Sequence, residues 1–131
     1  MSGGAIIEVA AGIIWRGETV LLAQRLVGDP LPNLWEFPGG KRERGESLEQ
    51  CLVRELREEL GVSARVGRLV HEVTHAYPER TVRLFFFDCE LLDGDPQPLH
   101  CQACRWVQRS DLHRYEFPPA DTALIELLIH T

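Results

Sequence analysis

Residues 40–62 read GKRERGESLEQCLVRELREELGV, a basic and acidic loop running into a segment with two unlike faces. Leu48, Cys51, Leu52, Leu56 and Leu60 recur three and four positions apart, the spacing that gathers side chains on one side of an α-helix. Ser47 followed by Gln50 is a capping-box pattern, and Gly61 suits the left-handed residue that closes a helix, so we expect a helix over residues 47–60. Glu55, Glu58 and Glu59 stand at i, i+3 and i+4, which projects three carboxylates from one side. Like charges that close repel one another on a free helix. Their crowding makes sense around a hard divalent cation, because Mg²⁺ takes oxygen ligands and bridges carboxylates to substrate phosphates. The alternative is a solvated acidic face paired with Arg54 and Arg57.

Upstream, residues 5–15 are rich in Ile, Val and Ala and read as a buried strand. Arg16-Gly17-Glu18 turns it into a hairpin partner at residues 19–24. Gly28, Pro30 and Pro32 break the next stretch into a loop, and Trp35-Glu36-Phe37 reads as a short strand stopped by Pro38-Gly39-Gly40. Downstream, strands are expected near 65–75 and 81–92 on either side of Tyr77-Pro78-Glu79-Arg80, then a turn at Asp93-Gly94-Asp95-Pro96 and a strand near 104–108. Pro118-Pro119 precede an apolar helix over 121–129, with Leu124, Ile125, Leu127 and Leu128 as core. One helix between hairpins plus a terminal helix gives an α+β class, a mixed β-sheet in an α/β/α sandwich.

The chain has 131 residues, 14 Lys+Arg against 20 Asp+Glu and a net charge of −6, which suits a single domain over residues 1–131. An apolar fraction of 44% with 26% charged residues is that of a packed domain rather than a disordered chain. An acidic balance argues against a nucleic-acid partner, so phosphates would be reached through metal cations. No apolar run is long enough to span a bilayer. The first fifteen residues lack a basic start and are interrupted by Glu8, unlike a secretory signal. We therefore expect a cytoplasmic protein with no membrane partner, four free thiols (Cys51, Cys89, Cys101, Cys104) and a monomeric state.

Gly40, Glu46, Arg54, Glu55, Leu56, Glu58, Glu59, Gly61 and Val62 match every specified position of G-x5-E-x7-R-E-U-x-E-E-x-G-U, where U is a bulky aliphatic residue. In this the chain resembles the Nudix hydrolase family. With residue frequencies of ~5–10% each, a chance match is on the order of one in a million or less. The resemblance implies the Nudix fold and hydrolysis of a nucleoside diphosphate linked to another group. It also implies a Mg²⁺ or Mn²⁺ cofactor held by Glu55, Glu58 and Glu59, with the carbonyl of Gly39 contributing. Arg54 and Glu46 would brace the loop and helix, with Gly40 and Gly61 as structural positions. Either Glu55 or Glu58 would take the proton of the attacking water.

Beyond the motif, LLAQR, LWEFPGGK, YPER and FPPAD resemble the MutT-type members, which remove oxidised guanine nucleotides. That likeness implies a nucleoside triphosphate pyrophosphohydrolase acting on 8-oxo-dGTP or a related damaged nucleotide, releasing a monophosphate and pyrophosphate. Arg25 and Lys41 would then contact phosphates, Phe37 would line the base pocket, and Arg80 would belong to the same site. Asp121 matches an asparagine that reads the purine edge. An ionised aspartate offers acceptors only, which suits the N7–H of an 8-oxidised purine or the exocyclic amine of cytosine. A CTP, dCTP or modified-pyrimidine triphosphate pyrophosphohydrolase is the alternative, and Asp121 as a simple helix N-cap is another. His100 falls opposite a metal-binding glutamate, and Asp95 is a substitute acid. Cys101-x2-Cys104 has no partner pair for zinc, and His71 and His75 read as packing or surface residues. A non-catalytic nucleotide-binding Nudix module is disfavoured because all the metal-site glutamates are present.

Overall fold

A computed structural model describes residues 6–130. Its elements are β1 (Ile6–Arg16), β2 (Thr19–Gln24), β3 (Trp35–Glu36), β4 (Gly39–Lys41), α1 (Leu48–Leu60), β5 (Ser63–Tyr77), β6 (Arg80–Asp93), β7 (Ala103–Gln108) and α2 (Thr122–Ile129). Short 3₁₀ turns at Arg109–Arg114 and Pro119–Asp121 lead into α2. Ala5, where the first strand was expected to begin, lies outside the described residues.

β1 organises the sheet. Along Ile6–Ile14 it runs parallel to β6, from Ile6 opposite Thr81 to Ile14 opposite Cys89. Its other edge takes β4, with Val9 opposite Lys41 and Ala11 opposite Gly39, and then β2, with Trp15 opposite Val20. β5 closes one side against β6, while β3 and β7 pair with β2. The result is the mixed sheet expected.

The strand period of two sends alternate residues into two cores. Ala10 and Ile14 of β1, Leu21 and Ala23 of β2, and Phe85, Phe87 and Cys89 of β6 face α1. Ala11, Ile13, Val20, Leu22 and Phe86 face α2. Leu52, Leu56 and Leu60 are fully buried on the first face; each contributes roughly 1.5–3 kcal/mol. Leu124, Ile125 and Leu128 bury the second, whereas Leu127, expected in the core, is 46% exposed.

α1 begins and ends where its sequence says. Ser47 accepts from the Gln50 backbone N–H at 3.0 Å, and the Gln50 side chain accepts from Ser47 N–H at 2.8 Å. Gly61 closes the helix at φ +70°, a conformation that costs a side chain but not glycine. The loop after β6 then lies across this end: Gln97 N–H donates to the Leu60 carbonyl, and Leu99 and His100 N–H both donate to that of Glu59. These bonds satisfy carbonyls that a helix C-terminus leaves without partners.

β4 is a departure from expectation. Pro38-Gly39-Gly40 was read as a stop, yet Gly39–Lys41 is a strand on β1. Two adjacent glycines carry no strand propensity. The pairing is a tertiary decision, taken where β1 offers a free edge.

Candidate active site

The three acids of α1 differ in surroundings. Glu59 is buried, Glu55 has 21% of its side chain exposed, and Glu58 has 55%. Arg54, one residue before Glu55, ties Glu55 and Glu58 to the loop. Its Nε and Nη2 grip both oxygens of Glu46 at 3.0 and 2.6 Å. Its Nη1 donates at 3.0 Å to Glu55 Oε2 and at 3.0 Å to Glu58 Oε1, and Nη2 reaches the Lys41 carbonyl at 3.2 Å. This two-pronged grip, with the Glu43 N–H donating to Glu46, holds the Glu46 carboxyl down at about 2. Glu55 shifts the other way: burial outweighs Arg54 and raises it.

Gly40 has a steric reason. A Cβ built on it would fall on the Glu55 carboxylate, so only glycine lets that side chain lie over β4.

Among the described residues no three His, Cys, Asp or Glu side chains converge as a ready-made metal cage. The acids nonetheless fit a hard divalent cation. All offer oxygen, Glu55 and Glu58 already converge on one cationic nitrogen, and Glu59 Oε1 is buried with no hydrogen-bond partner. Burial, then the charges of Glu36 and Glu55, push the Glu59 carboxyl well above its ordinary range.

Across β4 from these acids, on the α2 face, opens a cleft of about 560 Å³. Ile7, Val9 and Ala11 of β1 and Val82, Leu84 and Phe86 of β6 form its floor. Phe37 sits in its wall, edge-on to Phe86 at 5.8 Å and stacked on Phe117 at 5.8 Å. Arg25, Lys41, Arg80 and Asp121 all line it, as do Gly39 and Gly40. The cleft therefore brings together every residue expected at the substrate, and β4 joins it to the acids of α1.

Two of those residues differ from expectation in state. Arg25 Nη1 is bound to Glu36 at 2.6 Å, and its Nε donates to the Pro30 carbonyl at 2.8 Å. Asp121 occupies the N-cap position of α2, yet its side chain makes no capping hydrogen bond. It is 3% exposed, and burial, reinforced by the charge of Glu36 and opposed by Arg25, pushes its carboxyl up to about 7. Near neutrality, that places it between the acceptor-only carboxylate and the protonated acid.

Sequence reasoning overlooked Glu36 and Tyr77, which also line the cleft. The available signal was a charged residue between Trp35 and Phe37 in an otherwise apolar strand. His100 is exposed but held beside α1 through its backbone, and Asp95 is exposed. All four cysteines are free thiols; Cys51, Cys89 and Cys101 pack in the α1-side core. His71 lies against Phe86 with its Nε2 buried and unpartnered, and His75 packs on Tyr77.

Comparison with known proteins places this geometry. The NUDIX domain family matches residues 10–127, and the chain belongs to that family as a hydrolase of phosphoric anhydride bonds in nucleotides. It is 40% identical over 127 residues to the 8-oxo-dGTP diphosphatase of Haemophilus influenzae, covering 95% of this chain and 93% of that one. It is 41% identical over 121 residues to the CTP pyrophosphohydrolase of Escherichia coli, covering 92% and 90%. The solution structure of the E. coli ORF135 protein superposes with a TM-score of 0.81 at 40% identity, over 95% of this chain and 89% of that one. Enzymes of this family depend on a divalent metal. Among the described residues no helix is long and apolar enough to cross a membrane.

Proposed function

We propose that this enzyme hydrolyses a nucleoside triphosphate to a monophosphate and pyrophosphate, with 8-oxo-dGTP or a related damaged nucleotide as substrate. It would work as a cytoplasmic monomer. The observation that carries this reading is β4: one side of its two glycines faces the cleft that holds Phe37 and Asp121, and the other lies under Glu55. A base in the cleft would place its phosphates across Gly39-Gly40, toward the acids.

Each residue then has a task. Phe37 and the strand floor take the flat base against apolar surface, and Asp121 reads its edge. Lys41, Arg80 and the uncommitted N–H groups of Arg25 meet phosphate oxygens at the mouth. Glu55, Glu58 and Glu59, with the carbonyl of Gly39, would hold Mg²⁺ or Mn²⁺. A divalent ion held there would neutralise charge on the phosphates and make water a better nucleophile. A water oxygen bonds to phosphorus as the anhydride P–O bond breaks, and Glu55 accepts the proton. Glu55 lies over Gly40 at the edge of the cleft whereas Glu58 is 55% exposed, which favours Glu55 for that step.

A cytosine nucleotide is the second reading, supported by the likeness to a CTP pyrophosphohydrolase. The test is kcat/KM with Mg²⁺ and with Mn²⁺ across 8-oxo-dGTP, dGTP, CTP, dCTP, 5-methyl-dCTP and ADP-ribose, with the released product identified. Preference for 8-oxo-dGTP with pyrophosphate release is expected. Preference for cytosine nucleotides selects the second reading, and phosphate release in place of pyrophosphate overturns both. Glu55→Gln should abolish turnover and leave the fold intact.

A further inference from the structure

One wall of the cleft is built by a single hairpin segment, which contributes Arg25, Pro30, Leu31 and Glu36. The turn inside that wall is strained. Leu31 sits at φ +56° and Asn33 at φ +69°, the left-handed region that disfavours side chains, leucine more than asparagine. Such a conformation persists where its surroundings hold it. Part of the support lies within the hairpin: the Arg25 N–H donates to the Leu34 carbonyl at 2.8 Å, and Gln24 Nε2 to that of Asn33 at 3.1 Å.

Further support arrives from Gln102, 69 positions beyond Asn33 in the chain. A side-chain amide nitrogen carries two hydrogens, and Gln102 Nε2 has an acceptor for each. It donates to the Arg25 carbonyl at 2.7 Å and to Asn33 Oδ1 at 2.5 Å, so one amide spans the two ends of the turn. Gln102 is placed for this by its own main chain, whose N–H donates to the Gln24 carbonyl at 2.9 Å. Just before it, Leu99 and His100 donate through their N–H groups to the Glu59 carbonyl. The same loop thus holds the helix that carries the acids at one end and the wall of the cleft at the other.

We propose that Gln102 is a positioning residue for substrate binding: its side-chain amide fixes where Arg25 and Leu31 stand in the wall of the cleft. The proposal rests on the reading of this cleft as the substrate site.

The physical argument is one of prepaid order. A turn with two left-handed residues has more relaxed conformations open to it once its ends are released. Arg25 follows, because its guanidinium is held to Pro30 within the same turn and to Glu36 just after it. A substrate meeting a loosened wall would have to order it again, and that cost is charged to association. The amide of Gln102 acts on the wall and not on the carboxylates of α1. Its loss therefore weakens ground state and transition state alike, which raises KM and spares kcat.

The test measures kcat and KM separately for 8-oxo-dGTP and for CTP. Gln102→Met keeps the length of the side chain and removes both donors, so KM should rise by roughly tenfold with kcat within about twofold of wild type. Asn33→Gly keeps the left-handed backbone and removes one acceptor, and its KM should rise less. The double variant should rise little beyond Gln102→Met alone, because the two substitutions remove the same bond. A merely structural role would instead lower the folded fraction, which reduces kcat and leaves KM where it was. Amide NMR of the wild type with 8-oxo-dGMP or CMP added reads the cleft itself, through Val82 and Leu84 on its floor.

Shifts at Val82 and Leu84 with an unchanged KM in Gln102→Met overturn the proposal and leave the cleft reading standing. A fall in kcat at unchanged KM overturns it as well. No shift at Val82 and Leu84 overturns the cleft reading and the proposal with it. Where Gln102→Met does not fold, Asn33→Gly carries the test, and an unchanged KM there decides against Gln102.

Discussion

A carboxyl that titrates near 7 in the folded protein and near 3.8 in the unfolded chain takes up a proton on folding between those values. The folded state then binds more protons than the unfolded one, so Asp121 lowers stability as pH rises through that window. Above it the full penalty remains. Asp121→Asn keeps the shape and removes the charge. Urea unfolding should find it more stable than wild type at about pH 8 by on the order of 2–4 kcal/mol, and little different at about pH 4. Glu46 has the opposite sign. Its carboxyl is held at about 2 by Arg54, so its contribution is complete above 4.5 and is lost as pH falls from there toward 2. Gly40 makes a different demand, for space. Gly40→Ala would displace the Glu55 carboxylate, and kcat/KM should fall by roughly 100-fold with the circular dichroism spectrum unchanged.

α1 was legible in advance because its signals are local. The apolar spacing, both arms of the capping box and the closing glycine lie within sixteen residues, from Ser47 to Val62, and the structure uses each one. Ser47→Ala should therefore cost about 1 kcal/mol, read as a lower urea midpoint with an unchanged slope. β4 could not be read that way. Gly39 and Gly40 have no side chains to pattern, and their pairing is dictated by β1, nearly thirty residues away in the chain. The same distinction divides the site. Glu55, Glu58 and Glu59 share one helix face and could be grouped by counting residues. The company of Arg25, Glu36 and Asp121 depends on three segments meeting, and the upward shift of the Asp121 carboxyl depends on burial that no local pattern reports.

The molecule as a unit places an acid-lined helix on one face of a sheet and a base-sized cleft on the other, with β1 and β4 between them. Its α1-side core already buries Leu52, Leu56 and Leu60 completely. The buried Glu59, with an oxygen lacking a partner, is a cost within that well-packed region until a cation offsets it. Adding Mg²⁺ or Mn²⁺ at about 100 times its dissociation constant should raise stability by about 2.7 kcal/mol, and a chelator should reverse it. Thermal unfolding with and without metal checks this, and Glu59→Gln should shrink the gain. A gain of the same size in that variant would remove Glu59 from the metal site.

The loop that lies over the end of α1 grips the Glu59 and Leu60 carbonyls through the main-chain N–H groups of Gln97, Leu99 and His100. Main-chain bonds make no demand on side-chain identity. Substitutions at these three positions can thus change the surface over the end of α1 without releasing the helix. Divergence between descendants of a common ancestor would gather here at little structural expense. A library randomised at Gln97, Leu99 and His100 should yield mostly folded proteins, whereas the same library at Leu52, Leu56 and Leu60 should yield mostly aggregates.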